Sequence, residues 1–289
     1  MSAITKYKAD SLLDRRFLLG EGPAYDARKD RILWVDIRTG AFLQYDPKTG
    51  QLIEIQTGQN LGAIVPTERG GYLAAMTTGV YYLDHDGLSL LCRPPELKDK
   101  LRLNDAKCDP MGRFWFGTIG LFNSAPTGSL FRLDPDGSCH RMLAGPKISN
   151  GLAWSSDGTV MYYIDSAEEG VDAFDFTMET GDIAKRRRIF TTSGCVPDGM
   201  TIDEEGKLWI ALWGGGKIIR LDPLTSEIIG EIPVPAIHTT SCCFTGEKLD
   251  TLIITSSGEG FDEPEAGRVF YARPGVRGTP TRLYKDSTS

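Results

Sequence analysis

Four polar residues recur at one position of a repeated pattern, each five residues before a turn. They are Glu21, Asn104, Asn150 and Asp198. Carboxylates and amide carbonyls are hard oxygen donors, and two of each suit Ca²⁺, Mg²⁺ or Mn²⁺, with waters completing the shell. Gly62 and Ser241 hold the same position in the other two copies of the pattern. If the fold gathers these positions around one axis, we expect a divalent-metal site there.

Some of these residues also have a simpler interpretation as turn formers. Asn150-Gly151 and Asp198-Gly199 are dipeptides that commonly form tight turns. For either dipeptide alone the turn is the better explanation. The shared register of four polar residues nevertheless favours a functional site.

Histidine and charge content exclude two other kinds of site. The chain has three histidines and no H-E-x-x-H motif, which disfavours a His-based zinc hydrolase. A carboxylate is then the practical general base. Asp and Glu outnumber Lys and Arg by 39 to 32, giving a net charge of −7. An acidic chain repels phosphate backbones, so we expect no nucleic-acid partner.

An internal repeat supplies the elements that must position the polar residues. A short apolar strand, a turn with Asp or Gly, and an aromatic-rich strand recur about six times. Equivalent turns lie near Asp30, Gly70, Gly112, Gly158 and Gly206, so their spacing is 40 to 48 residues. That period is typical of a four-stranded propeller blade. We predict an all-β fold, a six-bladed β-propeller with four-stranded antiparallel blades, as one domain over residues 1–289.

Composition fits a globular, cytoplasmic protein. Hydrophobic residues make up 40% of the chain, enough for a sizeable core, and no apolar run approaches the length of a membrane span. The polar stretch from Met1 to Arg16 has no apolar segment of the kind a signal peptide needs. Six cysteines form no C-x-x-C pair, which favours reduced thiols. We therefore expect a cytoplasmic location and no membrane partner.

Five segments carry a family resemblance. They are LGEGPAYD (19–26), RLNDAKCDPMGRFWFGT (102–118), ISNGLAWSSDGTVMYYIDS (148–166), VPDGMTIDEEGKLWIA (196–211) and TTSCCF (239–244). On these segments the chain resembles the family of senescence-marker protein (regucalcin), gluconolactonase and luciferin-regenerating enzyme. They span most of the chain in the expected order, so the resemblance is specific.

The resemblance implies a six-bladed propeller with one catalytic divalent metal. By motif, the metal ligands fall on Glu21, Asn150 and Asp198, and the substrate contacts fall on Arg102 and Asn104. One departure concerns the segment after Gly117-Thr118, where regucalcin-type members carry a substrate-contacting carboxylate. Here Ile119-Gly120-Leu121-Phe122 follows, so we expect an apolar pocket rim, which bears on the identity of the sugar more than on the reaction.

The implied reaction is hydrolysis of an aldonolactone to the aldonic acid. The metal is expected to polarise the lactone carbonyl, and Asp198 to act as general base on the attacking water. Arg102 and Asn104 would orient the sugar ring. Ca²⁺ is the favoured ion, while three ligands with open positions also accept Zn²⁺, Mn²⁺, Mg²⁺ or Fe²⁺.

Two alternatives remain open at this point. The first is an esterase or phosphotriesterase-like hydrolase on the same scaffold, which the apolar Leu121 and Phe122 would suit. The second is a non-enzymatic calcium-binding propeller, against which the polar constellation with Arg102 argues. The identity of the lactone and the oligomeric state cannot be derived from the sequence.

Two conspicuous surface motifs have ordinary interpretations. The basic run Lys185–Arg188 is expected on a solvated outer strand. Asp84-His85-Asp86-Gly87 lacks the spacing and distal Glu of a calcium-binding EF-hand loop, so a hairpin turn is predicted.

Overall fold

A computed structural model describes residues 4–97, 100–121 and 127–286 of the chain. Within these residues the structure is made of short strands and a single 3-10 turn, Ser166–Glu168. The strands form six sheets, and each sheet is one blade of a propeller. The predicted fold is confirmed.

The strands follow one another in chain order. Two short N-terminal strands come first: β1 (Thr5–Lys6) and β2 (Ala9–Ser11). The first two blades are β3 (Gly20–Asp26), β4 (Arg31–Asp36), β5 (Ala41–Tyr45), β6 (Leu52–Gln56), and β7 (Leu61–Pro66), β8 (Tyr72–Met76), β9 (Gly79–Asp84), β10 (Gly87–Cys92). The third and fourth are β11 (Leu101–Cys108), β12 (Phe114–Gly120), β13 (Ser129–Leu133), β14 (Cys139–Ala144), and β15 (Ser149–Trp154), β16 (Val160–Asp165), β17 (Gly170–Phe176), β18 (Ile183–Thr191). The last two are β19 (Val196–Ile202), β20 (Leu208–Trp213), β21 (Lys217–Asp222), β22 (Glu227–Pro233), and β23 (Thr239–Thr245), β24 (Thr251–Ser256), β25 (Phe270–Ala272).

Each blade is an antiparallel meander whose first strand is innermost. The inner strands β3, β7, β11, β15, β19 and β23 each contact the next, and β23 contacts β3 to complete the circle. The hydroxyl of Thr240 in β23 donates to the carbonyl of Gly20 in β3 at 2.6 Å, which joins the last blade to the first. The ring therefore closes around one channel, and the inner strands deliver side chains to it.

The N-terminal strands account for two features that the repeat did not predict. β2 pairs antiparallel with β25, so the sixth blade takes its outer strand from the start of the chain. β1 adds a fifth strand to the fifth blade, running parallel to β22. Both strands cover sheet edges that would otherwise present unpaired backbone groups.

The turns between first and second strands lie where the repeat predicted them. Asp30 and Gly112 are two of these positions, with φ angles of 50° and 80°. Such left-handed conformations favour Gly, and Asp tolerates them because its short side chain can bond locally.

Buried tryptophans and paired charges stabilise the individual blades. Trp34, Trp115 and Trp209 are among the largest fully buried side chains. The indole of Trp115 donates to Asp109 at 2.9 Å, and that of Trp209 donates to Asp203 at 3.0 Å. Both aspartates are also paired with buried arginines, so their charges are compensated. The turn Asp of the repeat thus anchors the second strand of its own blade.

The C-terminal segment crosses the end of the channel where the inner strands finish. Gly278 bridges to Asp203, and Tyr284 bridges to Thr67. Thr281 accepts from the backbone of Tyr25 at 3.1 Å. Residues 279–282 and inner-strand residues of all six blades line a cavity of about 90 Å³. Ligand access is therefore expected through the opposite mouth of the channel.

Candidate functional site

A β-bulge interrupts every inner strand at the position of the predicted site residue. The register shifts fall at Glu21/Ala24, Leu61/Ala63, Leu103/Ala106, Asn150/Leu152, Pro197/Met200 and Thr239/Ser241. A bulge inserts an extra residue, bends the strand and redirects its side chain. The four polar residues share a position in the repeat because each lies at the β-bulge of its inner strand, beside the channel.

Glycines at the bulges let neighbouring inner strands approach closely. A Cβ on Gly151 would lie 2.7 Å from the backbone oxygen of Asp198. A Cβ on Gly199 would lie 2.1 Å from the hydroxyl oxygen of Ser241. The dipeptides Asn150-Gly151 and Asp198-Gly199 thus owe their glycines to strand packing around the site as much as to local conformation.

Two aspartates, each at the end of a second strand, hold the backbone that leads into a site residue. Asp36 accepts from the backbone N–H groups of Leu18 and Leu19, at 2.9 and 3.1 Å. Asp165 does the same for Lys147 and Ile148, both at 2.9 Å. These contacts occur in the blades that carry Glu21 and Asn150, and they hold the backbone immediately before each of those residues.

A chain of hydrogen bonds joins the predicted substrate-binding residues to a predicted metal ligand. Arg102 Nη1 donates to Asn104 Oδ1 at 2.8 Å. Asn104 Nδ2 donates to Asn150 Oδ1 at 3.1 Å, and Asn150 Nδ2 donates to the Ser166 hydroxyl at 2.8 Å. Ser166 in turn donates to the carbonyl of Pro197, next to Asp198, at 2.7 Å. The chain crosses three blades and fixes both amide orientations.

Three carboxylates share the buried centre of the channel. Glu21, Asp198 and Asp105 are each less than a tenth exposed. Burial and the neighbouring Asp105 raise the pKa of Glu21 to about 8. Burial, followed by the charges of Glu21 and Asp105, raises the pKa of Asp198 well above its ordinary value. Burial also lowers the pKa of Arg102 to about 10, against the pull of Glu21.

The donor set fits a divalent cation. Asp198 Oδ1 is buried and has no hydrogen-bond partner among the described residues. Buried polar atoms are normally partnered, so this oxygen lacks a ligand or a water. Glu21 receives a hydrogen bond from the adjacent Gly22 N–H, and Asn150 Oδ1 accepts from Asn104. Two carboxylates and one amide oxygen could hold a hard ion, whose charge would relieve their mutual repulsion.

Asp105 is the site residue that sequence reasoning missed. It directly follows Asn104 within the bulge of β11, and burial raises the pKa of its carboxyl group. Its Oδ1 accepts from the N–H of Ala106 at 2.8 Å. A strand residue normally faces away from its neighbour, so only the bulge explains why both polar side chains are at the channel.

An aromatic cluster lies at the mouth of the channel, where the strands that carry the carboxylates begin. The ring of His238 stacks on Phe261 with centroids 3.6 Å apart, and Trp213 meets His238 edge-on at 4.7 Å. Trp213 pairs with Val196, two residues before Asp198, and it packs against the cluster that contains Leu19, two residues before Glu21. We call Trp213, His238 and Phe261 the aromatic wall.

The rest of the rim combines one ion pair with an apolar residue. Arg38 and Glu259 pair at 2.7 Å, and both act electrostatically on Arg102. Leu121, the expected apolar rim residue, is partly exposed after β12, whereas Phe122 lies outside the described residues. The mouth therefore has polar groups around Arg102 and an aromatic surface near Asp198.

The two surface motifs have the predicted structures. Asp84, His85 and Asp86 form an exposed acidic cluster in the hairpin turn between β9 and β10. The basic run Lys185–Arg188 lies on the outer strand β18, where its charges pair with Asp172, Glu168 and Asp175. Neither motif adds to the channel site.

Curated proteins resemble the chain over nearly its whole length. Regucalcin of Danio rerio is 35% identical, and the match covers 97% of this chain and 99% of the relative. A Bacillus subtilis protein provisionally named as the sugar lactone lactonase YvrE is 35% identical over 90% of this chain and 92% of its own length. An uncharacterised protein of Sulfolobus acidocaldarius is 39% identical over 93% of this chain and 97% of the relative.

Solved structures share the same architecture. A luciferin-regenerating enzyme superposes with a TM-score of 0.89 at 30% identity, covering 96% of this chain and 99% of the other. A regucalcin of Agrobacterium tumefaciens, described as a calcium-binding protein, gives a TM-score of 0.92 at 25% identity, covering 98% and 99%. The SMP-30/gluconolactonase/LRE-like family model matches residues 19–258. The chain therefore belongs to the SMP-30, gluconolactonase and luciferin-regenerating-enzyme-like family.

Proposed function

We propose that the chain is a metal-dependent lactonase that opens a gluconolactone-like aldonolactone to the aldonic acid. The observation that carries the proposal is that a group of buried carboxylates and a hydrogen-bonding arginine lie together in one channel. Glu21 and Asp198 supply crowded, buried carboxylates, and the Arg102 guanidinium, oriented by its bond to Asn104 Oδ1, supplies hydrogen-bond donors that act electrostatically on both carboxylates. Relatives named for sugar-lactone and gluconolactone hydrolysis support the reaction class.

Glu21, Asn150 and Asp198 are the residues proposed to hold the metal. Ca²⁺ is our first choice because all three offer hard oxygen, and a similar solved protein is described as calcium-binding. Mg²⁺, Mn²⁺, Zn²⁺ and Fe²⁺ are the other candidates. When bound, the ion supplies Lewis-acid polarisation of the lactone carbonyl.

Asp198 is proposed as the general base. Its carboxylate can accept a proton from a water as the water oxygen bonds to the carbonyl carbon. As the ring C–O bond breaks, the same carboxyl group can return that proton to the departing ring oxygen. The product is then the open hydroxy acid, and Asp198 is again ionised.

Arg102 and Asn104 are proposed to orient the sugar. Arg102 is 4% exposed and is already held by bonds to the carbonyl of Leu103 and to Asn104, so its guanidinium is preorganised. Guanidinium N–H groups fixed in this way lose little conformational entropy when they bind ring hydroxyls. Both amide N–H groups of Asn104 already donate, to the carbonyl of Ser149 and to Asn150, so Asn104 would use its Oδ1 as an acceptor for a sugar hydroxyl.

The aromatic wall favours a second candidate substrate class. Trp213 and Phe261 present partly exposed rings at the mouth, and Leu121 is apolar where a substrate-contacting carboxylate was expected. An aryl ester or a phosphotriester would use the same metal residues and gain from this surface. A calcium-binding propeller without catalysis is the non-enzymatic alternative.

Other aspects of the biology stay predictions. We expect one domain over residues 1–289, a cytoplasmic location, a small-molecule partner and no nucleic acid. No helix within the described ranges is long and apolar enough to cross a membrane.

A substrate panel with metal add-back tests the proposed function. Purified protein is treated with chelator and then reloaded separately with each of the five divalent ions. Turnover of C5 and C6 aldonolactones, an aryl ester and a phosphotriester is followed at constant pH. We expect chelation to abolish lactone opening and one ion to restore it. Turnover of the ester or phosphotriester alone would favour the second candidate. If the reloaded protein turned over none of the substrates, the result would contradict the proposal that the chain is a metal-dependent hydrolase.

A further inference from the structure

Two cysteines on the outer strands of neighbouring blades form a thiol pair. Cys92 ends β10, the outer strand of the second blade, and Cys139 begins β14, the outer strand of the third. The hydrogen-bonding contact between the two side chains is the largest influence on the pKa of each thiol. Both also pack against the same core cluster, which contains Leu133 and Tyr284. Their sulfur atoms are therefore already neighbours in the folded protein.

The surrounding contacts hold the two outer strands together. Glu96, shortly after Cys92, pairs with Arg141, shortly after Cys139, at 3.7 Å. Leu97 is buried in the cluster that both thiols contact. Because packing and an ion pair join the two outer strands here, we expect side-chain adjustment to bring the sulfur atoms to bonding distance.

The other four cysteines differ from this pair in their burial or in the core cluster that they contact. Cys108, Cys242 and Cys243 are buried. Cys242 and Cys243 are adjacent in β23 and pack into different core clusters, as expected for opposite faces of a strand. Cys195 is partly exposed but packs in the cluster between the fourth and fifth blades. Cys92 and Cys139 are both partly exposed, so a small oxidant can reach them.

We propose that Cys92 and Cys139 are a redox-sensitive site that forms a reversible disulfide between the second and third blades when the protein meets a peroxide. The Cys92 thiolate attacks one peroxide oxygen, giving a sulfenic acid and water. The Cys139 sulfur then attacks that sulfenic sulfur and releases a second water. Two thiols are oxidised, one peroxide is reduced, and a dithiol reductant reverses the reaction.

The opposite pKa shifts of the two thiols indicate which cysteine reacts first. The hydrogen bond from Cys139 lowers the pKa of Cys92, while the same bond and burial raise the pKa of Cys139. Cys92 is thus the thiol that ionises first and attacks the oxidant, because the thiolate is the nucleophile. Cys139 resolves the intermediate.

The disulfide would close a loop that contains the substrate-orienting residues. Residues 93–138 include β11 with Arg102 and Asn104, together with β12 and β13. Cross-linking a loop of this length restricts the unfolded chain, and in the chain-entropy description this stabilises the native state. Oxidation should therefore raise Tm by several degrees.

Thiol counting and peptide mapping test the proposal in the intact protein. Reduced wild type is treated with stoichiometric hydrogen peroxide, and free thiols are counted after denaturation. We expect a loss of two of the six thiols, a Cys92–Cys139 peptide by mass spectrometry, a higher Tm, and reversal by dithiothreitol. Cys92→Ser should abolish the cross-link, whereas the matched control Cys195→Ser should keep it.

Two results would overturn the proposal. One is retention of all six thiols under conditions that oxidise a free dithiol peptide. The other is a cross-link or a Tm increase that survives in Cys92→Ser, since it would then arise elsewhere. A Cys139→Ser variant adds an independent signature, because Cys92 should then accumulate as a sulfenic acid that a dimedone probe traps.

Discussion

The side-chain amide of Asn104 donates a 3.1 Å hydrogen bond to the amide oxygen of Asn150, across the boundary between the third and fourth blades. Asn104 is a predicted substrate contact and Asn150 a predicted metal ligand. The bond therefore couples the two parts of the proposed site. It fixes which face of the Asn150 amide points into the channel, as a partner outside the metal shell commonly does for a ligand.

Loss of this bond should weaken metal binding as well as substrate binding. For Asn104→Ala we expect metal affinity to fall by roughly 10-fold or more, because the Asn150 amide is no longer oriented. Isothermal titration of chelated protein with Ca²⁺ measures this, and substrate KM is measured separately. A purely substrate-binding role for Asn104 predicts a raised KM with unchanged metal affinity, and that outcome would contradict the coupling.

The metal-free protein should lose stability as pH rises. The pKa of Glu21 is raised from 4.5 to about 8 in the folded state, so the native protein binds more protons than the unfolded chain between these values. Stability contributed by the protonated carboxyl is present at low pH and is lost as pH rises towards 8. We expect a loss on the order of a few kcal/mol in urea unfolding with chelator present.

Two controls separate this effect from other titrations. Glu21→Gln removes the carboxyl group, so its metal-free stability should vary less between pH 5 and pH 8 (roughly the interval that the shifted pKa spans). Saturating divalent metal should reverse the trend in wild type, because the ion binds the ionised carboxylates. A metal-free stability that increases with pH over this interval would be inconsistent with the crowded carboxylates.

Close strand approach at the bulges should make the site glycines intolerant of a side chain. Gly199→Ala places a Cβ 2.1 Å from the Ser241 hydroxyl, and we expect a cost of about 1–3 kcal/mol in unfolding free energy. Ser241→Gly removes the two closest atoms, Oγ and Cβ, and leaves the Cα at 2.9 Å, so the double variant should recover part of the loss. Chemical denaturation of the four proteins of this cycle gives the coupling, and additive losses would show that the clash is not the cause.

Trp213 should contribute to substrate binding without acting on the reacting atoms. For Trp213→Leu we expect KM to rise about 5-fold with kcat little changed, since an aromatic contact contributes about 1 kcal/mol. Steady-state kinetics with a sugar lactone and an aryl ester measure both effects, and the ester should be affected more. Leu224→Ala is the surface control, because Leu224 is 87% exposed. An unchanged KM for both substrates would remove the aromatic wall from the binding site.

The repeat made most of the propeller predictable. Each blade carries its own turn signal, and residues such as Gly112 and Gly206 lie at positive φ where the spacing placed them. The closure of the sixth blade was not predictable in this way. Its outer strand, Ala9–Ser11, comes from the chain start and resembles no other outer strand. Only pairing with β25, far away in sequence, makes it a strand.

The convergence of the candidate residues was predictable where a residue's place in the repeat alone determines its position in the fold. Glu21, Asn150 and Asp198 share a place in the repeat, and the ring brings them together. Asp105 was missed because simple strand alternation turns it away from the channel, and the bulge that redirects it depends on pairing with β12. His238 and Phe261 of the aromatic wall were also missed. Phe261 lies in the segment between β24 and β25, outside the repeated pattern.

The central claim is that Asp198 is the catalytic carboxylate of a metal-dependent lactonase. The most direct test is kcat/KM for an aldonolactone, measured for wild type, Asp198→Asn and the exposed control Asp250→Asn, each with saturating metal. We predict a loss of about 10³-fold or more for Asp198→Asn with its fold retained by circular dichroism, and wild-type activity for Asp250→Asn. Full activity of metal-loaded Asp198→Asn would contradict the claim.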